Sequence, residues 1–102
     1  MHSLQCQVKY PMMIKRIIGA IMMTTIFAIR NRILQLCSEH DFTINKIANI
    51  SAVPPSSIKN ILYGKSSNPK IITIKMLCDG FGITLSEFFN TDQFDNLEQE
   101  IK

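Results

Sequence analysis

Between Asp41 and Asp79 the chain has no carboxylate at all, and that absence is the most informative one in its 102 residues. Other absences narrow the function classes. Three cysteines, Cys6, Cys37 and Cys78, form no CxxC pair and no even set, which excludes a disulfide framework and fits a reducing cytoplasm. His2 and His40 stand far apart without ligand-like neighbours, so no metal site is expected, and no cofactor. There are no paired carboxylates, no glycine-rich phosphate loop and no His–Cys or His–Ser pairing that one pocket could hold, which argues against an enzyme. No apolar run is long enough to span a membrane comfortably, which takes ~20 residues. Aromatic residues are few, at 8%.

What is present has the size of one domain, near the small end of what buries its own core. The net charge of +3 understates an asymmetry. The carboxylate-free middle holds Lys46, Lys59, Lys65, Lys70 and Lys75, whereas the tail after Asn90 sets Asp92, Asp95, Glu98 and Glu100 against Lys102. A middle without acids removes repulsion from phosphates, and its lysines can replace phosphate counterions. Lysines alone would fit a solvated basic face better; lysines around a helix-turn-helix favour DNA.

The chain is organised around residues 43–64. Thr43 can cap a helix from Ile44 to about Ile50, with Ile44, Ile47 and Ala48 on one face. Pro54 disfavours the α conformation at Val53, so this helix stops at a turn, Ser51-Ala52-Val53-Pro54. Pro55 suits the first position of a second helix, which runs to Tyr63. Ile58, Ile61 and Leu62 form its inward stripe, and the other face carries Ser56, Ser57, Lys59, Asn60 and Tyr63. Gly64 ends it, as a residue that tolerates the left-handed conformation. This is a helix-turn-helix, whose second helix can enter a DNA major groove. An ordinary helical hairpin in a small bundle fits the periodicity as well.

Around this pair, a first helix is expected from Thr25 to about Glu39, capped by Thr24 or Thr25, with Ile26, Ile29, Ile33, Leu36 and Cys37 facing the core. Arg30 and Arg32 read as residues of its polar face, solvated ahead of the alternative that either reaches a phosphate, His40 as part of a polar helix end, and Phe42 as a lid between the first two helices. Lys65 to Lys70 is a loop by composition. A fourth helix is expected from Thr73 or Ile74 to about Phe81, facing inward through Ile74, Leu77, Cys78 and Phe81. Gly80 weakens it by about 1 kcal/mol relative to Ala, and Gly82 caps its end. Thr84 and Glu87 make a capping box for a fifth helix, with Leu85, Phe88 and Phe89 closing the core. Weak helical spacing at Phe94, Leu97 and Ile101 leaves a sixth helix, a dimer contact or a frayed end open for the acidic tail over residues 91–102, with a partly ordered tail expected.

Residues 1–23 read as an extension outside the fold. Lys15-Arg16 and the apolar run behind them have the outline of a signal peptide, but the run merges into Arg30 and Arg32 without a small-residue cleavage site. The codons for Ile18-Gly19-Ala20 can spell a purine-rich ribosome-binding site, so translation from Met22 or Met23 is expected. An N-terminal arm carrying Lys9, Lys15 and Arg16 is the second reading, and a membrane anchor a distant third.

The ordered set Ile47-Ala48, Ser51-Ala52-Val53, Ser57-Ile58, Gly64-Lys65, Asn68-Pro69, Thr73-Ile74, Gly82-Ile83-Thr84 and Glu87-Phe88 resembles the Cro/CI-type (Xre-like) helix-turn-helix regulators over roughly residues 26–90. The chain departs from the family at Ala52, often Gly, and at Pro54 and Pro55, commonly polar. The resemblance implies an all-α, compact five-helix, lambda-repressor-like DNA-binding domain over residues 24–90.

It also implies a docking mode. With the second helix of the pair in the major groove, Ser56, Ser57, Lys59 and Asn60 are expected at base edges, Asn60 foremost because Asn pairs bidentately with adenine. Thr43, Tyr63, Lys65, Ser66, Asn68 and Lys70 are expected at phosphates, which set register without reading sequence. The expected role is sequence-specific double-stranded DNA binding by a small bacterial or phage transcriptional regulator, a repressor, in the cytoplasm. It would bind as a homodimer, formed in solution or only on DNA, at a pseudo-palindromic operator. The alternative is a protein-interaction module of the same fold, the antitoxin or adaptor partner of another protein.

Overall fold

A computed structural model of the protein describes residues 24–65 and 67–101. The N-terminal segment 1–23, expected to stand apart from the fold, lies outside the described residues, as does Ser66. Six helices follow one another: α1 (Thr25–His40), α2 (Ile44–Ser51), α3 (Pro55–Tyr63), α4 (Ile71–Phe81), α5 (Leu85–Phe89) and α6 (Asp92–Asp95), with no strand among the described residues. The five expected helices are joined by one more, the short α6.

Caps set the helix starts. The Thr24 hydroxyl accepts the Phe27 amide at 3.3 Å, and Thr43 accepts that of Lys46 at 3.0 Å. The Thr84–Glu87 capping box is complete, with the Thr84 amide donating to Glu87 Oε1 at 2.8 Å and the Glu87 amide to Thr84 Oγ1 at 3.0 Å. The ends of α1 and α4 share one design. Left-handed Asp41 and Gly82 turn the chain, and the amides of Phe42 and Ile83 reach back to the carbonyls of Cys37 and Cys78. α4 begins at Ile71, two residues ahead of Thr73. Lys70 ahead of it makes no side-chain cap, so no capping residue marks this start, and Ile71 and Ile72 are exposed.

The core is built from Ile33, Leu36, Ile47, Ile58, Leu77, Cys78 and Phe88, each buried. α4 lies across α2, and Gly80 is what allows the approach. A methyl on Gly80 would meet Ile47 Cδ1 and Ser51 Cβ at 2.9 Å. The residue expected only to weaken α4 is therefore a packing requirement. Phe42 stacks on Phe81 of α4, with ring planes 13° apart, and His40 sits against both rings. His40 is thus more than a polar helix end: its ring nitrogens lie 2.9 Å from Leu36 O and 3.1 Å from Phe81 O.

Arg32 is not on a solvated face. It is buried, with Nε donating to Phe88 O at 2.7 Å, Nη2 to Glu87 O at 2.8 Å and Nη1 to Gln35 Oε1 at 3.0 Å. The guanidinium gives the Phe88 carbonyl its donor at the C-terminus of the short α5 and adds a second to Glu87 O, which the Asn90 amide also reaches at 3.4 Å; positive charge is also favoured there. After α5, Phe94 of α6 packs edge-on against Phe89 and beside Phe88, with ring centroids 4.9 and 6.0 Å away. This anchors the start of the tail, whereas Ile101 is exposed.

Candidate nucleic-acid interface

α2 and α3 meet through a turn with two constraints. Ser51 is buried and its hydroxyl donates to Ile47 O at 2.6 Å, ending α2 against the core. Ala52 then takes a left-handed conformation, φ 62°, which costs an alanine about 1 kcal/mol relative to glycine. Val53 is buried beneath the turn. Pro54 presents its carbonyl to the amides of Ser57 and Ile58, at 2.9 and 3.3 Å, and Pro55 carries no amide proton to satisfy.

α3 buries Ile58, Ile61 and Leu62. Its opposite ridge, Ser56, Lys59, Asn60 and Tyr63, is exposed at i, i+3, i+4 and i+7 spacing, and Pro55 is exposed at its head. Ser57 is half-buried, at the flank of this ridge rather than on it. Around the ridge, Thr43, Lys65, Asn68 and Lys70 are all exposed. Ser66 lies outside the described residues, and its neighbour Ser67 is exposed. The Thr43 hydroxyl accepts from Lys46, and its proton stays available for an oxygen acceptor.

Among the described residues, Lys46, Lys59, Lys65 and Lys70 form no ion pair, whereas Lys75 is bridged to Asp79 along α4. Four lysines around α3 thus keep their charge unshared, and the fifth is committed to its own helix. The acidic tail limits this field on one side. Thr24, Ile26, Ser67, Glu98, Gln99 and Glu100 line one cavity of about 250 Å³. The tail carboxylates there lie by the N-terminus of α1, whose first turn has no acidic residue of its own.

The end of α3 differs from expectation. Gly64 is extended, φ −90° and ψ −164°, not left-handed. Glycine is needed there for space: a methyl would lie 2.5 Å from Asn60 Oδ1 and 2.7 Å from Asn60 O. Arg30 reaches this end from α1, its Nε donating to Ile61 O at 2.6 Å and its Nη2 to Gly64 O at 3.3 Å. It is half-buried and braces α3, where sequence reasoning places it in solvent. Its partners lie 31 and 34 residues away, beyond any local pattern. Lys46, in the first turn of α2 beside Thr43, belongs to the same basic surroundings, and sequence reasoning counts it only as charge.

Nothing else in the described residues competes as a site. No group of three or more His, Cys, Asp and Glu side chains gathers there, and no helix is long and apolar enough to cross a membrane. Cys37 and Cys78 are buried and unbridged, and burial pushes both thiols up from their ordinary range. No curated protein and no solved structure matches the chain. A family model does: that of the Cro/C1-type HTH DNA-binding domain, over residues 32–93, more than half of the chain.

Proposed function

The chain belongs to the Cro/C1-type HTH DNA-binding domain family, and from this premise we propose that it binds a specific double-stranded DNA sequence and acts as a small bacterial or phage transcriptional repressor. The observation that carries the reading is the exposed ridge of α3, surrounded by lysines that form no ion pair among the described residues, in a stretch without a single carboxylate.

In this reading α3 lies in the major groove. Ser56, Lys59 and Asn60 face base edges, and Ser57 reaches only a base or sugar at the flank. Asn60 is the residue that can read adenine by two hydrogen bonds, worth roughly 1–3 kcal/mol of discrimination. Pro55, with neither a donor on its nitrogen nor a polar side chain, leaves the head of α3 to shape rather than to base hydrogen bonds. Thr43, Tyr63, Lys65, Ser66, Asn68 and Lys70 hold phosphates and set the register. The mechanism is binding, with no bond made or broken, in the cytoplasm. Two copies on a pseudo-palindromic operator would place their α3 helices about one helical turn apart, ~34–36 Å.

The test is fluorescence anisotropy of the full chain with duplex DNA from upstream of its own gene and a scrambled duplex, across a salt series. Tighter binding to the upstream duplex that persists as salt rises is the expected result. Equal, steeply salt-dependent binding to both would leave only the phosphate term. No binding at low salt would overturn the reading in favour of a protein-interaction module.

A further inference from the structure

We propose that Arg30 and Gly64 are positioning residues for Asn60: they fix where the Asn60 amide sits, and so contribute to sequence preference without touching a base. The inference rests on the DNA-binding reading above.

The geometry is a chain of three residues. The last turn of a helix leaves carbonyls without intrahelical donors, and these must find partners elsewhere. At the end of α3 the partner is Arg30, whose fork takes Ile61 O at 2.6 Å and Gly64 O at 3.3 Å. Gly64 is held from its other side by its own amide, which donates to Asn60 O at 3.0 Å. Pinned at both its amide and its carbonyl, Gly64 places its Cα beside Asn60, and a side chain there would fall 2.5 Å from Asn60 Oδ1. The Asn60 amide oxygen, together with the Asn60 backbone carbonyl at 2.7 Å, therefore borders the volume that any residue other than glycine would fill.

Asn60 is exposed, and among the described residues its amide makes no hydrogen bond. Its Oδ1 lies where a side chain on Gly64 would intrude. An asparagine that must meet adenine with both amide atoms needs its amide plane set in advance, because a misplaced donor–acceptor pair loses both bonds together. Arg32 provides an internal comparison. It rises from the same helix and clamps the carbonyls of α5 in the same way, but no base-facing residue lies at that end.

The test is a double-mutant cycle in the full chain. Affinities for the preferred duplex and for its scramble are measured by anisotropy for Asn60→Ala, Gly64→Ala, Arg30→Gln and Arg32→Gln, and for the Gly64 and Arg30 changes combined with Asn60→Ala. Thermal melts establish which variants fold. Asn60→Ala is expected to cut the preference by roughly 5- to 150-fold, the value of one bidentate pair. Gly64→Ala and Arg30→Gln should each lose most of that same preference while binding the scramble within about threefold of wild type. Neither should change the preference further once Asn60 is alanine. Arg32→Gln should leave the preference intact.

Effects that multiply in the double variants would overturn the inference, since Gly64 would then act on the backbone of α3 as a whole. So would wild-type preference in Gly64→Ala and Arg30→Gln. Should Gly64→Ala fail to fold, the Arg30→Gln cycle decides by the same criteria. A wild-type chain that prefers no duplex overturns the DNA-binding reading and the inference with it. A wild type that discriminates, with multiplying variants, overturns the inference alone.

Discussion

Gly80 and Ser51 meet where α4 crosses α2, and the space between them does not admit a methyl group: one added to Gly80 would lie 2.9 Å from Ser51 Cβ and 3.3 Å from its Cα. Two effects of Gly80→Ala therefore oppose each other. Helix propensity favours alanine by about 1 kcal/mol. Overpacking against a backbone that cannot retreat costs about 1–3 kcal/mol. The expected outcome is a net loss of stability, read as a lower urea midpoint. A raised midpoint would mean that the α2–α4 crossing has slack.

Arg32→Met should destabilise the domain by about 1–3 kcal/mol, because it strands the carbonyl of Phe88 and takes one of two donors from that of Glu87. Thermal unfolding of the two proteins measures this. An unchanged Tm would mean that water replaces the guanidinium at the end of α5.

Asn60→Ala and Lys65→Ala should separate sequence reading from anchoring. The first is expected to relax sequence preference by the equivalent of about 1–3 kcal/mol. The second should weaken binding to all duplexes alike and reduce the salt slope by about 1. If Asn60→Ala altered neither affinity nor preference, the assignment of α3 to the groove would be wrong.

The buried thiols give the stability a sign at alkaline pH. Burial holds the proton on Cys37 and, with help from neighbouring Asp79, on Cys78 to higher pH than in the unfolded chain. A group whose value is raised on folding contributes fully below its unfolded value, about 8.5 for a thiol, and the contribution fades as pH rises towards the folded value. The urea midpoint should thus fall above about pH 8.5. In Cys37→Ala/Cys78→Ala, whose midpoint starts lower, that fall should be shallower. Equal slopes would show that other groups carry the alkaline loss.

Local chemistry explains how much of this was legible in the chain. A threonine cap, a proline at the start of a helix and a capping box act over three or four residues, so Thr43, Pro55 and the Thr84–Glu87 pair announce their helices directly. The buried stripes of α1, α3 and α4 follow from periodicity for the same reason, and the ordered motifs point to the family that its model also matches. The start of α4 was hidden because Lys70, ahead of it, provides no side-chain cap.

By itself the sequence determined the helix order, the apolar stripes, the exposed ridge of α3 and the carboxylate-free stretch around it, because each is a matter of residue type and short spacing. Only the tertiary structure decided what the arginines and glycines do. Arg32 had left a trace, lying four residues from both Ala28 and Leu36 on the buried stripe, but its partners are carbonyls 55 and 56 residues away. Arg30 braces the end of α3, Gly80 admits α2, and Gly64 makes room for the Asn60 amide rather than turning the chain. A guanidinium takes its role from whichever helix end is brought to it, and a glycine from whatever occupies the place of its missing side chain. Neither is a property of the residues next to it in the chain.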